Sequence, residues 1–371
     1  MRFAKLPILV LAGILAGALC AQPLMGQRRG AGRANTPAWP TTEGDFVLNN
    51  FHFADGETLP QLNLHYTTLG APHKNAQGVV DNAVLIIHGT GGTGHQFLSP
   101  IFAGPLYGPG EPLDITRYYL ILPDEIGHGK SSKPSDDLHA KFPHYGYHDM
   151  VRAEYELLTQ HLGVNHLRLV MGTSMGGMQS WMWPEMYPDF MDAAMPLASE
   201  PAQIAGRNRY FRRMVIDSIS KCPDYNHGEY KAPPVCMPGA FYALAVMTSS
   251  PKDMQRQMPT KELADAGFDR MIARDLKNYD ANDMLYQFAA SGDYNPEPEL
   301  GKIQCYLMAV NSADDQVNPP DQGIMEPNIV KVKHGTYILI PDGPETHGHG
   351  THTYAAVWRQ YLVQLLQESA H

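Results

Sequence analysis

The sequence predicts a doubly wound α/β fold with a mostly parallel sheet, and three observations support this prediction. Six short apolar runs bounded by turn residues are typical of buried parallel strands. Segments of helical periodicity separate several of these runs, as the crossovers of a parallel sheet require. The chain has 371 residues and is 43% hydrophobic, so it can bury a large core.

The predicted strands and helices alternate along most of the chain. The strands are NAVLIIHG, RYYLILPD, HLRLVMG, DAAMPLAS, CYLMAVNS and TYILIPDG, in chain order. Two helices are predicted for GYHDMVRAEYELLTQHLGV and GGMQSWMWPEMYPDFM, and Pro184 is expected to kink the second of them. The amphipathic segment HTYAAVWRQYLVQLLQ is predicted to be the last helix packed on the sheet.

The alternation stops between residues 200 and 300, which show helical segments and loops but no clear buried strand. We therefore predict a helical cap over residues 200–300. The core is then formed by residues 41–199 and 301–371.

The first residues have the pattern of an export signal. In MRFAKLPILVLAGILAGALCAQ, two basic residues precede a short apolar segment and then small residues. We predict a signal peptide over residues 1–21, a flexible Gly-, Arg- and Pro-rich tether over residues 22–40, and an exported protein, periplasmic or secreted, with no membrane span after cleavage. Lipid attachment at Cys20 is disfavoured because Leu19 is bulky where such sites carry a small residue.

Charge and cysteine content narrow the classes of partner. The formal net charge is −10 and the pI is near 5.9, so nucleic acids and anionic membranes would repel the chain. A small molecule is the expected partner, and association into a homodimer is left open. In an oxidising compartment Cys222 and Cys236 can form a disulfide, but their spacing does not choose between the bridged and the free forms.

A candidate nucleophile stands in the middle of the chain. Residues 172–176 read Gly-Thr-Ser-Met-Gly and fit the G-x-S-x-G pattern of a nucleophile elbow. A predicted strand precedes this pentapeptide and a predicted helix follows it, as the elbow requires. The glycines are needed because the backbone at such a turn is strained and its neighbours pack closely. Ser174 is therefore the predicted nucleophile.

A serine nucleophile needs a histidine base and a carboxylate that orients the histidine, in the chain order Ser, acid, His. Asp314 and Asp315 directly follow a predicted strand, where sheets of this class build their sites. The residues alone leave both aspartates open. The base is His347, His349 or His352, and we favour His349, which lies between two glycines. The alternative of a metal site at these histidines is disfavoured because no carboxylate motif accompanies them.

Acyl transfer also needs backbone N–H groups that stabilise an oxyanion. One predicted donor is Met175, the residue after the nucleophile. The other is Thr90, in the loop HGTGGTGH after the first predicted strand. A phosphate-binding role for this loop is disfavoured because it lacks the lysine of that motif.

The segment FPHYGYHDMVRAEYELLTQHLGVNHLRLVMGTSMGGMQSWMWPEMYPD resembles the central block of the homoserine O-acetyltransferase family of α/β-hydrolases, including its Ser-Met-Gly-Gly-Met-Gln run. This resemblance implies an α/β-hydrolase fold with Ser174 as nucleophile and His349 as base. It implies Asp315 as the acid, because Pro319 completes the family's Asp-x-x-x-Pro pattern. It also implies that Arg213 binds substrate.

The chain departs from that family at three places. Gly350 follows His349 where the transferases have an aspartate that meets the amino group of homoserine. The oxyanion segment reads His-Gly-Thr-Gly-Gly, and an exported protein would not meet cytosolic acetyl-CoA. We therefore predict an exported serine hydrolase that cleaves an ester or related acyl bond, without cofactor or metal. The alternative is an O-acyltransferase with an alcohol acceptor, and a non-catalytic binding protein is the least favoured hypothesis.

Overall fold

The computed structural model describes residues 39–370. The predicted signal peptide and the tether up to residue 38 lie outside these residues. In chain order the strands are β1 (Thr41–His52), β2 (Thr58–Leu69), β3 (Ala83–Ile87), β4 (Tyr119–Pro123), β5 (Leu169–Thr173), β6 (Ala193–Leu197), β7 (Tyr306–Ser312) and β8 (Gly335–Ile340).

The eight strands form one sheet in the order β1-β2-β4-β3-β5-β6-β7-β8. β2 pairs antiparallel with both β1 and β4. All pairs from β4 across to β8 are parallel. The loops after β3, β5, β6, β7 and β8 therefore lie along the same carboxyl edge of the sheet, where parallel α/β sheets place their sites.

The helices are α1 (Pro100–Tyr107), α2 (Tyr147–Glu156), α3 (Met175–Met186), α4 (Gly206–Ser220), α5 (Pro238–Thr248), α6 (Pro251–Gln257), α7 (Lys261–Asn278), α8 (Ala281–Ala289), α9 (Met325–Ile329) and α10 (Ala355–Glu368). Side chains of α1 and α10 share one apolar cluster with the sheet. Side chains of α2, α3 and α9 share another. The sheet is thus covered on both faces, and the prediction of a doubly wound, mostly parallel α/β-hydrolase fold is confirmed.

Five helices, α4 to α8, lie between β6 and β7, which are the fourth and fifth of the strands predicted from the sequence. We call residues 200–300 the cap. The cap has its own apolar cluster, in which Phe211, Phe241 and Phe288 are buried. A disulfide between Cys222 and Cys236 closes a loop within it.

The structure differs from the sequence predictions at two places outside the cap. Neither β1 nor β2 was predicted. β1 is an edge strand whose side chains are largely exposed, so it has no apolar run. The helix predicted to extend to residue 164 ends as an α-helix at Glu156 and continues as a π-helical turn over Leu157–His161. Among the described residues, no helix is both long and apolar enough to cross a bilayer.

Candidate active site

Ser174 occupies a sharp turn between β5 and α3. Its backbone has φ 57° and ψ −108°, a combination that is costly for a residue with a side chain and is typical of functional turns. Although Ser174 directly precedes α3, its side chain does not cap that helix. The hydroxyl is thus free for another partner.

Close packing explains the glycines around this turn. A Cβ atom on Gly172 would lie 2.3 Å from the carbonyl oxygen of Gly176, and a Cβ atom on Gly176 would lie 2.0 Å from that of Ile87. At Gly177 the carbonyl oxygen of Leu197 would be 2.3 Å away. These distances are below van der Waals contact, so any side chain would push α3 away from β3 and β6. The glycines let the helix start directly against the sheet.

The hydroxyl of Ser174 bonds to a histidine that in turn bonds to an aspartate. The distance from Ser174 Oγ to His349 Nε2 is 2.8 Å, and that from His349 Nδ1 to Asp315 Oδ2 is also 2.8 Å. In the tautomer that satisfies both contacts, the serine hydroxyl donates to Nε2 and the Nδ1–H group donates to the carboxylate. Ser174, His349 and Asp315, predicted as nucleophile, base and acid, are brought together in hydrogen-bonding order.

Asp315 is fully buried and held by the loop that follows β7. Its Oδ1 accepts hydrogen bonds from the backbone N–H groups of Val317 at 2.7 Å and Asn318 at 3.2 Å. Burial raises the pKa of Asp315. His349 and these two N–H groups lower it by more than burial raises it, so the pKa lies below its ordinary value. The carboxylate therefore stays ionised and can stabilise an imidazolium.

The other aspartate and histidines that the sequence left open lie in supporting positions. Asp314 accepts a hydrogen bond from the backbone N–H of Gly348 at 2.8 Å and so holds the loop that carries His349. His347 pairs with Asp253 of the cap at 3.0 Å. His352 packs against His349, and burial followed by the charge of His349 lowers the pKa of His352 to about 3, so this ring is neutral.

The loop after β3 lies against the nucleophile turn. A Cβ atom on Gly89 would be 3.4 Å from that of Ser174. His88 Nε2 accepts from the backbone N–H of Glu125 at 3.0 Å, so its Nδ1 carries the hydrogen and donates to the carbonyl oxygen of Gly89 at 2.8 Å. The carbonyl oxygen of His88 accepts from the N–H of Gly176 at 3.0 Å. The buried imidazole thus fixes the loop beside α3.

The two predicted oxyanion donors lie on either side of this junction. Met175 is the first residue of α3, where backbone N–H groups lack partners within the helix and the helix dipole favours negative charge. Thr90 follows Gly89 in the adjoining loop. Their roles as oxyanion donors stay predictions.

The side chain of Arg213, the predicted substrate-binding residue, is not buried. Its guanidinium is more than half exposed and pairs with Asp217 one turn along α4. The preceding residue, Arg212, is 2% exposed and lies on the face of α4 that carries the buried Phe211, Val215 and Ile219. The sequence could have distinguished the two arginines, because Arg212 is three residues before Val215 and seven before Ile219 and therefore shares their face of the helix.

Sequence reasoning also missed Tyr147. It is the first residue of α2 and is fully buried. Burial raises the pKa of its phenol, and the nearby guanidinium of Arg212 and side chain of Thr90 partly offset this increase. No motif marks this residue, because its place in the site depends on how α2 and the cap meet.

These side chains have the arrangement of an acyl-transfer site. His349 can remove the proton from Ser174 during attack on a carbonyl and return it to the leaving group, while Asp315 stabilises the charged ring. The backbone N–H group of Met175 at the start of α3 is the predicted donor to the negative charge that develops on the substrate oxygen. Arg212 and Tyr147 add polar groups at the cap side.

Comparison with known proteins agrees with this fold. Residues 82–220 match the α/β hydrolase fold family. A homoserine O-acetyltransferase of Solidesulfovibrio magneticus is 29% identical over 360 residues, 86% of this chain and 88% of that protein. Several other curated relatives, 31–34% identical, are matched over about half of their own length.

Two solved structures extend this likeness to nearly the whole molecule. A homoserine O-acetyltransferase from Bacillus anthracis is similar with a TM-score of 0.77 and 19% identity, over 88% of this chain and 97% of that one. An acetylester hydrolase from Corynebacterium glutamicum is similar with a TM-score of 0.73 and 21% identity, over 88% of this chain and 96% of that one. By sequence and by fold, the chain is therefore an enzyme of the α/β-hydrolase fold that resembles homoserine O-acetyltransferases.

Proposed function

We propose that this enzyme transfers an acyl group from an ester to an alcohol acceptor through a covalent acyl intermediate on Ser174. The observation that carries this proposal is the continuous hydrogen-bonded series from Ser174 through His349 to Asp315, with 2.8 Å at both contacts. The sequence relatives that are acetyltransferases favour transfer over the hydrolase predicted from the sequence.

The proposed reaction has two half-reactions. In the first, Ser174 Oγ attacks the ester carbonyl, His349 takes the hydroxyl proton and passes it to the departing alcohol, and the acyl group remains on Oγ. In the second, the acceptor alcohol loses its proton to His349, attacks the acyl carbonyl and leaves with the acyl group, and the proton returns to Ser174. Met175 and Thr90 hold the oxyanion in both.

Arg212 supports a substrate that carries a carboxylate. Its guanidinium is buried and, within residues 39–370, forms no ion pair with an acidic side chain. A buried, unpaired cation is destabilising unless a ligand supplies the counter-charge. Gly350 offers no carboxylate for an ammonium group next to His349. These features favour an acceptor or ester that bears a carboxylate but no amino group beside the base.

Ester hydrolysis is the second candidate, because solved structures with this fold include an acetylester hydrolase. Hydrolysis uses the same acyl intermediate, with water in place of the alcohol. Access of water to the acyl group therefore decides between the two reactions.

Whether the acyl-enzyme reacts with water or with an alcohol distinguishes the two reactions. Purified protein is mixed with p-nitrophenyl acetate, and p-nitrophenol release is followed with increasing concentrations of 4-hydroxybutyrate, a carboxylate-bearing alcohol. For a transferase, release is a single burst that becomes steady turnover with O-acetyl product only when the alcohol is present. Steady release in water that the alcohol does not change would support the esterase. Butyrate, which lacks the hydroxyl, is the control.

We also propose export. The Cys222–Cys236 disulfide supports this proposal, since such bonds persist in oxidising compartments. Fractionation of the source cells, with detection of the mature chain, would test it. A homodimer stays a prediction, to be tested by size-exclusion chromatography with light scattering.

A further inference from the structure

The loop that carries His349 turns sharply at Gly348. This glycine has φ 61°, a left-handed conformation that glycine adopts without strain. Its backbone N–H donates to Asp314 at 2.8 Å, and its carbonyl oxygen accepts from the hydroxyl of Thr351 at 2.8 Å. These contacts hold the turn to the core, whereas the side chain of the preceding residue, His347, contacts the cap.

Asp253 of the cap is the partner of His347. It lies in the first turn of α6 and is 8% exposed, and its Oδ2 is 3.0 Å from His347 Nδ1. The other carboxylate oxygen pairs with Arg256, one turn later in α6. Burial raises the pKa of Asp253, but the hydrogen bonds from His347 and Gln257 lower it by more, so the pKa lies below its ordinary value. The carboxylate is therefore ionised, and His347 donates to it through Nδ1–H.

The imidazole of His347 is also fixed by stacking. Its centroid lies 3.9 Å from that of the Tyr354 ring, with 24° between the planes. Tyr354 directly precedes α10, which packs on the sheet. The backbone N–H of His347 donates to the hydroxyl of Thr351 at 2.8 Å. His347 therefore connects the core to the cap.

The backbone of the cap lies directly against the same loop. A Cβ atom on Gly348 would be 3.0 Å from the carbonyl group of Ser249 and from the nitrogen of Ser250. These two serines join α5 to α6, and Ser250 Oγ accepts from the backbone N–H of Asp253 at 3.4 Å. The cap thus contacts both residues that directly precede His349. A displacement of α6 would therefore move the loop that carries the base.

The base tolerates little displacement. His349 Nε2 is 2.8 Å from Ser174 Oγ, and its Nδ1 is 2.8 Å from Asp315. Both hydrogen bonds need one orientation of the ring. Misplacing a catalytic group by about 1 Å can lower the rate about 10²-fold, so contacts that fix the loop affect the chemistry.

We propose that Asp253 is a positioning residue: through His347, it holds the loop that places the base, His349. Docking of the cap then controls the rate of catalysis. This proposal rests on the proposed acyl-transfer reaction, in which His349 moves the proton. It predicts that loss of the contact lowers kcat for acylation with little change in KM, because the contact acts on the base.

Three variants separate this role from simple stabilisation. Asp253→Ala removes the acceptor. His347→Phe removes the donor but keeps a ring that can stack on Tyr354 and leaves the pair of Asp253 with Arg256 intact, so it carries the test if Asp253→Ala does not fold. We expect both to lower kcat for acylation about ten- to a hundredfold at nearly unchanged KM. His347→Asn restores an N–H donor close to the position of Nδ1 and should recover most of the loss.

A double variant and a control show whether the effect passes through this contact. Asp253→Ala combined with His347→Phe should lose no more than either change alone, because both remove the same hydrogen bond. Lys252 of α6 also forms an ion pair with Asp342, at the surface before the loop. Asp342→Asn breaks this second contact between cap and core without touching His347, so it should leave kcat unchanged.

Two measurements are made on each variant, after chemical denaturation has shown that it is folded. Rapid-mixing kinetics with p-nitrophenyl acetate give kcat and KM for acylation. NMR gives a readout that needs no turnover: the Nδ1 proton of His349, held against the carboxylate of Asp315, should resonate downfield of the amides and disappear in Asp315→Asn. Asp253→Ala and His347→Phe should weaken this resonance through faster exchange with water, and Asp342→Asn should not.

Unchanged acylation and an unchanged resonance in Asp253→Ala and His347→Phe would overturn the proposal. Equal losses in His347→Phe and His347→Asn, additive losses in the double variant, or the same loss in Asp342→Asn would also overturn it. A parent protein that releases no p-nitrophenol would contradict the proposed function instead. The resonance of His349 would then still decide whether Asp253 positions this histidine.

Discussion

The carboxyl edge of the sheet and the cap hold their functional side chains in different ways. At the sheet edge, the backbone fixes each group: Ser174 by a strained turn, and Asp315 by two N–H groups of its own loop. In the cap, Arg212 depends on the phase of one helix. The candidate catalytic groups thus lie at strand ends, whereas the proposed substrate contact depends on a helix of the cap.

Removing the correct carboxylate should have the largest effect. Asp315→Asn keeps the shape but disfavours the histidine tautomer that the serine needs, so kcat should fall about 10⁴-fold. Asp314→Asn is the matched control, because its remaining oxygen can still accept from Gly348, and it should lose far less. Steady-state turnover of p-nitrophenyl acetate measures both. Equal losses in the two variants would contradict the assignment of the acid.

Breaking the disulfide should loosen the cap and leave the sheet intact. Cys222 and Cys236 are 14 residues apart, and closing a loop of this length contributes about 3 kcal/mol in the chain-entropy model. The double Cys→Ala variant should therefore be cut by proteases within the cap sooner than the parent. Limited proteolysis with mass mapping checks this. Identical cleavage rates, or first cleavage in the core, would argue against it.

The nucleophile turn should not tolerate a methyl group. Gly176→Ala places a Cβ atom 2.0 Å from the Ile87 carbonyl, so it should lower the free energy of unfolding by about 1–3 kcal/mol and reduce activity. Gly104→Ala is the control, since nothing lies within 4 Å of a Cβ atom there. Chemical denaturation followed by fluorescence compares the two. A fully stable and active Gly176→Ala protein would refute the packing argument.

The smallest expected effect is on how the stability of the folded protein changes with pH. Burial, then the charges of Asp315 and Glu326, raises the pKa of Glu200 to about 8. The folded state therefore favours the protonated acid, and stability falls as pH rises from the ordinary value of 4.5 toward 8. Glu200→Gln should flatten this decline in thermal melts between pH 5 and about 8. The exposed Glu345→Gln should not, and a parallel decline in both variants would be inconsistent with this cause.

Much of the sheet edge could be predicted from the sequence because each feature leaves a local pattern. Buried parallel strands are apolar runs, and the turn at Ser174 needs glycines at fixed spacing. The two aspartates after β7 could not be separated by pattern alone, because adjacent residues in a loop point in different directions. Only the backbone conformation shows that Asp315 faces His349 and that Asp314 faces Gly348.

The other features that the sequence did not predict also have physical explanations. β1 is paired only with β2 and exposes most of its side chains, so hydrophobicity does not mark it. Arg213 was chosen by resemblance, whereas the buried positions of α4 place Arg212 inward. Tyr147 joins the site through contacts between segments far apart in the chain, including Asp293, and such contacts have no local signal.

The most direct test of the account is to locate the acyl group. Purified protein is mixed briefly with p-nitrophenyl acetate, quenched in acid and examined by intact-mass and peptide mass spectrometry, alongside Ser174→Ala. The account predicts one acetyl group per chain, on Ser174, absent from the variant. No adduct in the parent protein under rapid quench, or an undiminished adduct in Ser174→Ala, would contradict the claim that Ser174 is the nucleophile.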